Sequence, residues 1–219
     1  MHAEAYLEKD SSYFGWGREE MLPFIPAGVT RLLDVGCASG AFGAMLKSRL
    51  AVHVTGIEPH HESALAARTR LDHVVHGGAE AAAQQLAGQL FDCITFNDVL
   101  EHLVDPWETL RQVRPLLRPG GMVVASIPNV RHLSVSREYL LNGRWDYQLE
   151  GVLDRTHLRF FTRSSMRDLF ATSGYEMVRQ EGINRCDLTW KLKILRLAFR
   201  DTLEDMRCLQ YVCMARPVG

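Results

Sequence analysis

Leu32-Leu33-Asp34-Val35-Gly36-Cys37-Ala38-Ser39-Gly40-Ala41-Phe42-Gly43 passes from an apolar run through a string of small residues into a more helical stretch. The apolar part is what a buried strand requires, and the small residues let the backbone turn tightly and come close to a ligand. A helix that follows such a turn points its free N–H groups into the same crevice, so a ligand site at the strand end is expected. Tight strand–helix packing is the competing use of the same glycines.

Outward from this turn the pattern repeats. Short runs rich in Val, Ile and Leu at 31–35, 53–57, 73–76, 91–96 and 122–127 alternate with helical stretches at 41–48, 62–70, 79–86 and 106–117. That alternation predicts an α/β fold whose parallel sheet is covered on both faces. Pro119-Gly120-Gly121 marks a turn into the fifth strand. Thr162 caps a helix at 163–172, Gly174 ends it, and 175–180 and 209–215 read as two further strands. Residues 19–25 read as a short helix. Residues 129–161, aromatic and Arg-rich, have no strand rhythm and read as an insertion over one edge of the sheet. The segment 190–200 carries Lys193, Arg196 and Arg200 on one face and reads as a basic amphipathic helix.

Composition narrows the function classes. The 219 residues are 47% apolar, enough for one substantial core, and 25 Lys plus Arg against 26 Asp plus Glu leave a net charge of -1. A chain with no polycationic block is not built to coat nucleic acid, and no nucleic-acid partner is expected. No run approaches the roughly 18 apolar residues of a membrane span. The opening MHAEAYLEKD lacks a leader's basic and apolar regions. A soluble cytoplasmic protein is the expectation. Cys37, Cys93, Cys186, Cys208 and Cys213 are odd in number and scattered, which fits reduced thiols rather than a disulfide framework or a zinc site.

The second strand ends Gly56-Ile57-Glu58-Pro59, which puts a carboxylate beside the first turn, able to accept from both hydroxyls of a ribose. A solvated strand-end Glu is the plainer alternative. The stretches LLDVGCASGAFG, GIEP, FDCITFNDVLEHLVDP and LRPGGMVVASIPN, in that order, resemble the class I S-adenosylmethionine-dependent methyltransferases. The run GVLDRTHLRFFT at 151–162 resembles the methyltransferases of bacterial polysaccharide-biosynthesis clusters. The resemblance implies a Rossmann-like sheet of seven strands with the last one antiparallel, and S-adenosyl-L-methionine as cofactor. It assigns cofactor binding to Asp34, Gly36, Cys37, Gly40, Glu58, Pro59, Ala79 and Asn97. It also implies one domain over 1–219: an N-terminal lid and helix at 1–29, a cofactor-binding half at 30–128, an acceptor-covering insertion at 129–161 and a C-terminal half at 162–219.

Two positions depart from the family pattern. Ala38 stands where the turn's central glycine is usual, and His76-Gly77-Gly78-Ala79-Glu80 lacks the acidic residue often found after the third strand. Backbone near Ala79, or the Glu80 side chain, is left to meet the adenine amino group. A dinucleotide dehydrogenase is disfavoured, because glycines at 36, 40 and 43 do not make G-x-G-x-x-G and a second βαβαβ half is missing.

Methyl transfer from a sulfonium is an in-line displacement, and a hydroxyl acceptor also needs a base. If Asn97-Asp98-Val99-Leu100-Glu101-His102 forms a helical turn, Asp98, Glu101 and His102 share one face. Asp154-Arg155-Thr156-His157 brings a second imidazole. His157 is the favoured base or orienting group and His102 the second candidate, against the alternative that each only caps local structure. The order acidic, Glu-His, later His resembles the magnesium site of small-RNA 3′-terminal 2′-O-methyltransferases, and would gather Asp98, Glu101, His102 and His157 around one ion. Two imidazoles are atypical for magnesium, so no metal is expected.

Asn129, Arg131, His132, Tyr139, Trp145, Tyr147, Arg155 and Arg159 in the insertion suit a sugar or phosphorylated acceptor, since rings stack on sugars and guanidinium forks match phosphate. Tyr13 or Arg18 would reach the cofactor carboxylate from an N-terminal lid. The expected function is O-methylation of a small-molecule or sugar-related hydroxyl. The alternatives are a catalytically weak binding protein of the same fold, and an RNA 2′-O-methyltransferase-like enzyme, which the near-neutral charge disfavours.

Overall fold

The computed structural model describes residues 18–188 and 200–219. Tyr13 and all but the last residue of the expected basic helix fall outside them. Seven strands, β1 (Arg31–Val35), β2 (His53–Glu58), β3 (His73–His76), β4 (Phe91–Asn97), β5 (Leu117–Pro128), β6 (Tyr175–Arg185) and β7 (Cys208–Pro217), form one sheet in the order β3-β2-β1-β4-β5-β7-β6. β1 to β5 pair in parallel, and β7 runs antiparallel to both β5 and β6.

The helices are α1 (Ala41–Arg49), α2 (His61–Arg68), α3 (Ala79–Gln85), α4 (Pro106–Val113), α5 (Leu133–Asn142), α6 (Arg163–Thr172) and α7 (Arg200–Arg207). The central strands β1, β2 and β4 and the second half of β5 read as apolar runs because both faces are covered. Leu32, Val54, Cys93, Val124 and Val212 pack with Phe42, Leu46, Ala64 and Ala67 on one side. Their neighbours Leu33, Ile94, Val123 and Cys213 point the other way, among Leu110, Met166 and Phe170. Strand order reverses between β1 and β4, so the crevice outside their carboxyl ends is where this class of sheet takes a ligand.

Several elements differ from expectation for identifiable reasons. Pro119-Gly120-Gly121 lies within β5 as an irregularity in its register with β4. A Cβ on Gly121 would stand 3.0 to 3.1 Å from three backbone oxygens, so glycine lets the strands approach there without a shift of the backbone. The helix expected at 106–117 stops at Val113 and tightens into a 3-10 turn over Arg114–Leu116, which contains Pro115. Glu19–Phe24 is likewise a 3-10 turn, with Pro23 inside it. The insertion holds α5, whose pattern escaped periodicity because Val135 is its only buried residue. Thr162 caps α6 with a capping box, and Gly174 follows at φ +83°. The five cysteines are unpaired, and all but Cys186 are buried.

Candidate active site

The turn after β1 is stitched to the end of β2. Gly36 N and Cys37 N donate to Ile57 O at 2.8 and 3.0 Å, and Gly40 N closes the turn on Cys37 O at 2.8 Å. Gly36 (φ +72°) must be glycine, because a Cβ there would come within 2.5 Å of Val99. Glu58 reaches across with both carboxylate oxygens. Oε2 accepts from Ala38 N at 2.9 Å and Oε1 from His60 N at 2.8 Å, and each oxygen keeps a lone pair for a further donor. Burial pushes the Glu58 carboxyl up, against these two N–H groups.

Asp34 and Asn97 meet at the ends of β1 and β4. Asp34 Oδ1 accepts from Thr95 Oγ1 at 2.8 Å and Asn97 Nδ2 at 3.5 Å. Burial, aided by the nearby Glu58 charge, raises the Asp34 carboxyl to about 7, against the Thr95 hydroxyl, Arg18 and Asn97. Asn97 Oδ1 is buried with no hydrogen-bond partner. A buried carboxyl beside an orphaned acceptor fits a ligand that carries donors and positive charge, as the methionine end of S-adenosylmethionine does. Gly40 (φ +79°) precedes α1 without a side-chain cap, leaving first-turn N–H groups of the helix to face the same crevice.

Cys37, Pro59 and Ala79, also expected at the cofactor, lie in the turn, just after β2 and at the start of α3. The Cys37 thiol is buried in the core against Gly56, its ionisation disfavoured by that burial, and both its backbone groups serve the turn; it shapes the site and offers it no polar group. Pro59 is exposed and its carbonyl receives His76 Nε2 at 3.1 Å. Ala79 opens α3 and packs on the core, while added Cβ atoms on Gly77 or Gly78 would meet nothing, so the rim after β3 is open.

Beyond β4 the chain does not form the expected helical turn. Asp98 takes a left-handed conformation (φ +54°) and only Leu100–His102 makes a 3-10 turn. The Asp98 carboxylate does not join Glu101 and His102 in one cluster. It is bound instead by the Arg18 guanidinium, by Ser126 Oγ at 2.8 Å and by Gln210 Nε2 at 2.8 Å. Arg18 also donates to Ser126 Oγ at 2.9 Å and Glu20 at 2.8 Å, so this N-terminal residue does reach the crevice.

Glu101, His102 and His157 do converge, with one ligand-type atom from each lying within 4.8 Å of the others. The imidazole rings sit edge to face with centroids 4.6 Å apart. His157 Nε2 is 3.9 Å from Glu101 Oε1, and neither Glu101 oxygen has a hydrogen-bond partner although the residue is 1% exposed. Burial first, then the charge of Asp98, hold the Glu101 carboxyl well above the usual carboxylate range. His102 Nδ1 lies 3.1 Å from Thr156 O and His157 Nδ1 2.9 Å from Val152 O. A carbonyl oxygen only accepts, so both Nδ1 atoms carry a proton, and in a neutral ring the lone pair is then on Nε2. All three residues are candidates from the sequence, whereas Asp154 and Thr156, whose loop orients the rings, are not; the signal for them is the Asp-x-Thr-His spacing.

A sheet of this order with its ligand crevice at the β1/β4 reversal is that of a class I S-adenosylmethionine-dependent methyltransferase, with S-adenosylmethionine as cofactor. The chain belongs to the family described as "Methyltransferase domain", which it matches over residues 6–180. It is 30% identical over 173 residues to a "Ubiquinone biosynthesis O-methyltransferase" of Ruegeria pomeroyi, covering 75% of this chain and 67% of that one. A protein of the same description from Aeromonas salmonicida is 26% identical over 172 residues, covering 75% and 70%. In fold it is similar to a SAM dependent methyltransferase from Archaeoglobus fulgidus, with a TM-score of 0.70 over 90% of each chain at 16% identity. No helix among the described residues is long and apolar enough to cross a membrane.

Proposed function

We propose that this enzyme methylates a hydroxyl oxygen on a small molecule, with Asp34, Glu58, Asn97 and the 36–40 turn holding the cofactor and His157 and His102 receiving the acceptor proton. The observation that carries it is the imidazole pair of His102 and His157, with ring centroids 4.6 Å apart and each Nδ1 against a backbone carbonyl, on the segment that follows β4 and the loop packed against it. The cofactor supplies the electrophilic methyl; the chain's part is to exclude water, align the acceptor oxygen and take its proton. Arg18 is placed to exchange part of its contact with Asp98 for the cofactor carboxylate. The O-methyltransferase names of the two relatives support oxygen as the target.

A wall of rings supports a flat, ring-bearing acceptor. Tyr139, Trp145, Phe160 and Tyr147 stand edge-on or tilted to one another at 5.3 to 6.2 Å, and Phe160 continues to His157 at 6.3 Å. Rings stack on sugar faces as well as on aromatic ones. The sugar-related acceptor now rests on the resemblance at 151–162 and this wall, whereas the relatives bear ubiquinone names. Two of the arginines that favoured a phosphate have protein partners: Arg131 pairs with Asp205 at 2.9 Å, and Arg159 donates to Val104 O at 2.5 Å.

A second reading is favoured by the orphaned Glu101 oxygens: Glu101, His102 and His157 hold a divalent cation. One carboxylate and two imidazole nitrogens, each with Nδ1 tied to a carbonyl, form a ligand set suited to zinc, iron or manganese more than to magnesium. Such an ion would acidify an acceptor hydroxyl. The test is label transfer from radiolabelled cofactor to a catechol panel and to fractionated extract. His157→Ala should lower it by about a hundredfold, and unchanged labelling with both His157→Ala and His102→Ala would refute the proton-handling role. Activity lost on dialysis against a chelator and restored by one metal would select the second reading.

A further inference from the structure

We propose that Asp154, acting through Thr156, is a positioning residue that locks the His102 ring in its Nδ1–H tautomer and turns its Nε2 lone pair into the reacting end. The proposal rests on the reading above in which His102 serves the acceptor oxygen, and it holds whether that lone pair meets a proton or a cation. Asp154 Oδ1 accepts from Thr156 N at 2.8 Å and from Thr156 Oγ1 at 2.7 Å. With its only proton given to Asp154, the Thr156 hydroxyl has nothing but lone pairs for His102 Nδ1, 3.2 Å away. The Thr156 carbonyl, 3.1 Å from the same Nδ1, also accepts only. Two acceptors thus face one ring nitrogen, and the Asp154 carboxylate holds the residue that provides both.

The arrangement is more than a turn requires. His157 N already closes this loop on Asp154 O at 2.9 Å, yet a carboxylate 1% exposed is kept beneath it, and burying such a group is costly. The same short loop treats the second ring alike, with Val152 O accepting from His157 Nδ1 at 2.9 Å. One loop therefore fixes both imidazoles, much as the carboxylate or carbonyl behind a catalytic or metal-bound histidine fixes its tautomer.

Long-range 1H–15N spectra of the protein labelled at histidine, taken above about pH 8 where imidazoles are neutral, read the tautomer directly. The native protein should show His102 protonated at Nδ1 alone. Thr156→Val puts a methyl group in place of the hydroxyl, and a second tautomer should appear. Turnover should fall on the order of tenfold while cofactor affinity holds, and Thr156→Ser should restore both. Asp154→Asn should give the same change more weakly and serves if Thr156→Val does not fold. Unchanged His102 shifts in a folded Thr156→Val or Asp154→Asn protein, or failure of Thr156→Ser to restore the native spectrum, overturns the proposal. The spectra need no acceptor, so they decide this point even if no hydroxyl proves to be methylated.

Discussion

Glu58 Oε2 accepts a hydrogen bond from Ala38 N at 2.9 Å, joining the end of β2 to the middle of the turn that follows β1. The two motifs that sequence places 20 residues apart are thus one structural unit, and the acid proposed to hold the ribose also braces the turn proposed to hold the methionine end. Glu58→Gln keeps an acceptor for one of the two N–H groups and loses the other. It should weaken cofactor binding by roughly ten- to a hundredfold, the worth of about one hydrogen bond to a charged group. Glu58→Ala should weaken it further and lower the melting temperature as well. Calorimetry with the demethylated product checks both, and undiminished affinity in Glu58→Ala would mean the nucleoside binds elsewhere.

Ala38 occupies the left-handed region at φ +47°, where a Cβ is disfavoured by roughly 1–2 kcal/mol. Glycine would relieve that strain but adds freedom to the unfolded chain, so Ala38→Gly should stabilise by only about 0.5 kcal/mol. Ala38→Val should cost more than about 1 kcal/mol, because a β-branched residue tolerates this conformation worst. Denaturant melts of the two variants should move in opposite directions. Arg18, Ala38 and Asp98 share this backbone state and all border the crevice, which is where strain tends to be stored.

The parallel half of the sheet was legible because its strands are buried on both faces and announce themselves as apolar runs; β1 and β3 begin and end where the periodicity puts them. The glycine turn and Glu58 were legible for a related reason, since close backbone approach leaves few residue choices. What sequence could not supply was the direction of a side chain after an irregular residue. Helical spacing groups Asp98 with Glu101 and His102, but its left-handed backbone sends it to Arg18 and Gln210 instead. Nor does any local pattern bring residues 152–157 against 101–102. That contact depends on Glu101 O accepting from Leu158 N and Arg159 N at 2.8 and 3.0 Å, a pairing across more than fifty residues.

At the opposite end of the sheet Asp92 accepts from Thr30 N, Thr30 Oγ1 and Arg31 N, each at 2.8 Å, and from Arg118 at 2.7 Å. Burial works against its ionisation, but these donors outweigh it and hold the carboxyl at about 2. A depressed folded value means stability that is present above about pH 4 and lost as pH falls towards 2. Asp92→Asn should therefore cost roughly 1–2 kcal/mol at neutral pH and little at pH 2. Urea melts at the two pH values check this, and an equal cost at both would show that the ionised form is immaterial.

Asp34 behaves in the opposite sense. Its folded carboxyl titrates at about 7, chiefly through burial, while the unfolded one titrates near 4. The folded protein holds the proton more tightly, so without cofactor its stability should be greatest below about pH 4, decline as pH rises to about 7 and level off above that. A ligand bearing positive charge binds best to the ionised acid, and its affinity should climb over the same upper range as the pH approaches and passes 7. Asp34→Asn can still accept from Thr95 Oγ1 but never ionises; it should flatten the stability profile, weaken the cofactor and remove the rise in its affinity. S-adenosylmethionine carries a sulfonium charge that its demethylated product lacks, so the rise should be steeper for the cofactor than for the product. Titrations of both ligands between about pH 6 and pH 8.5 measure the difference, and identical slopes would remove Asp34 from any role in distinguishing them.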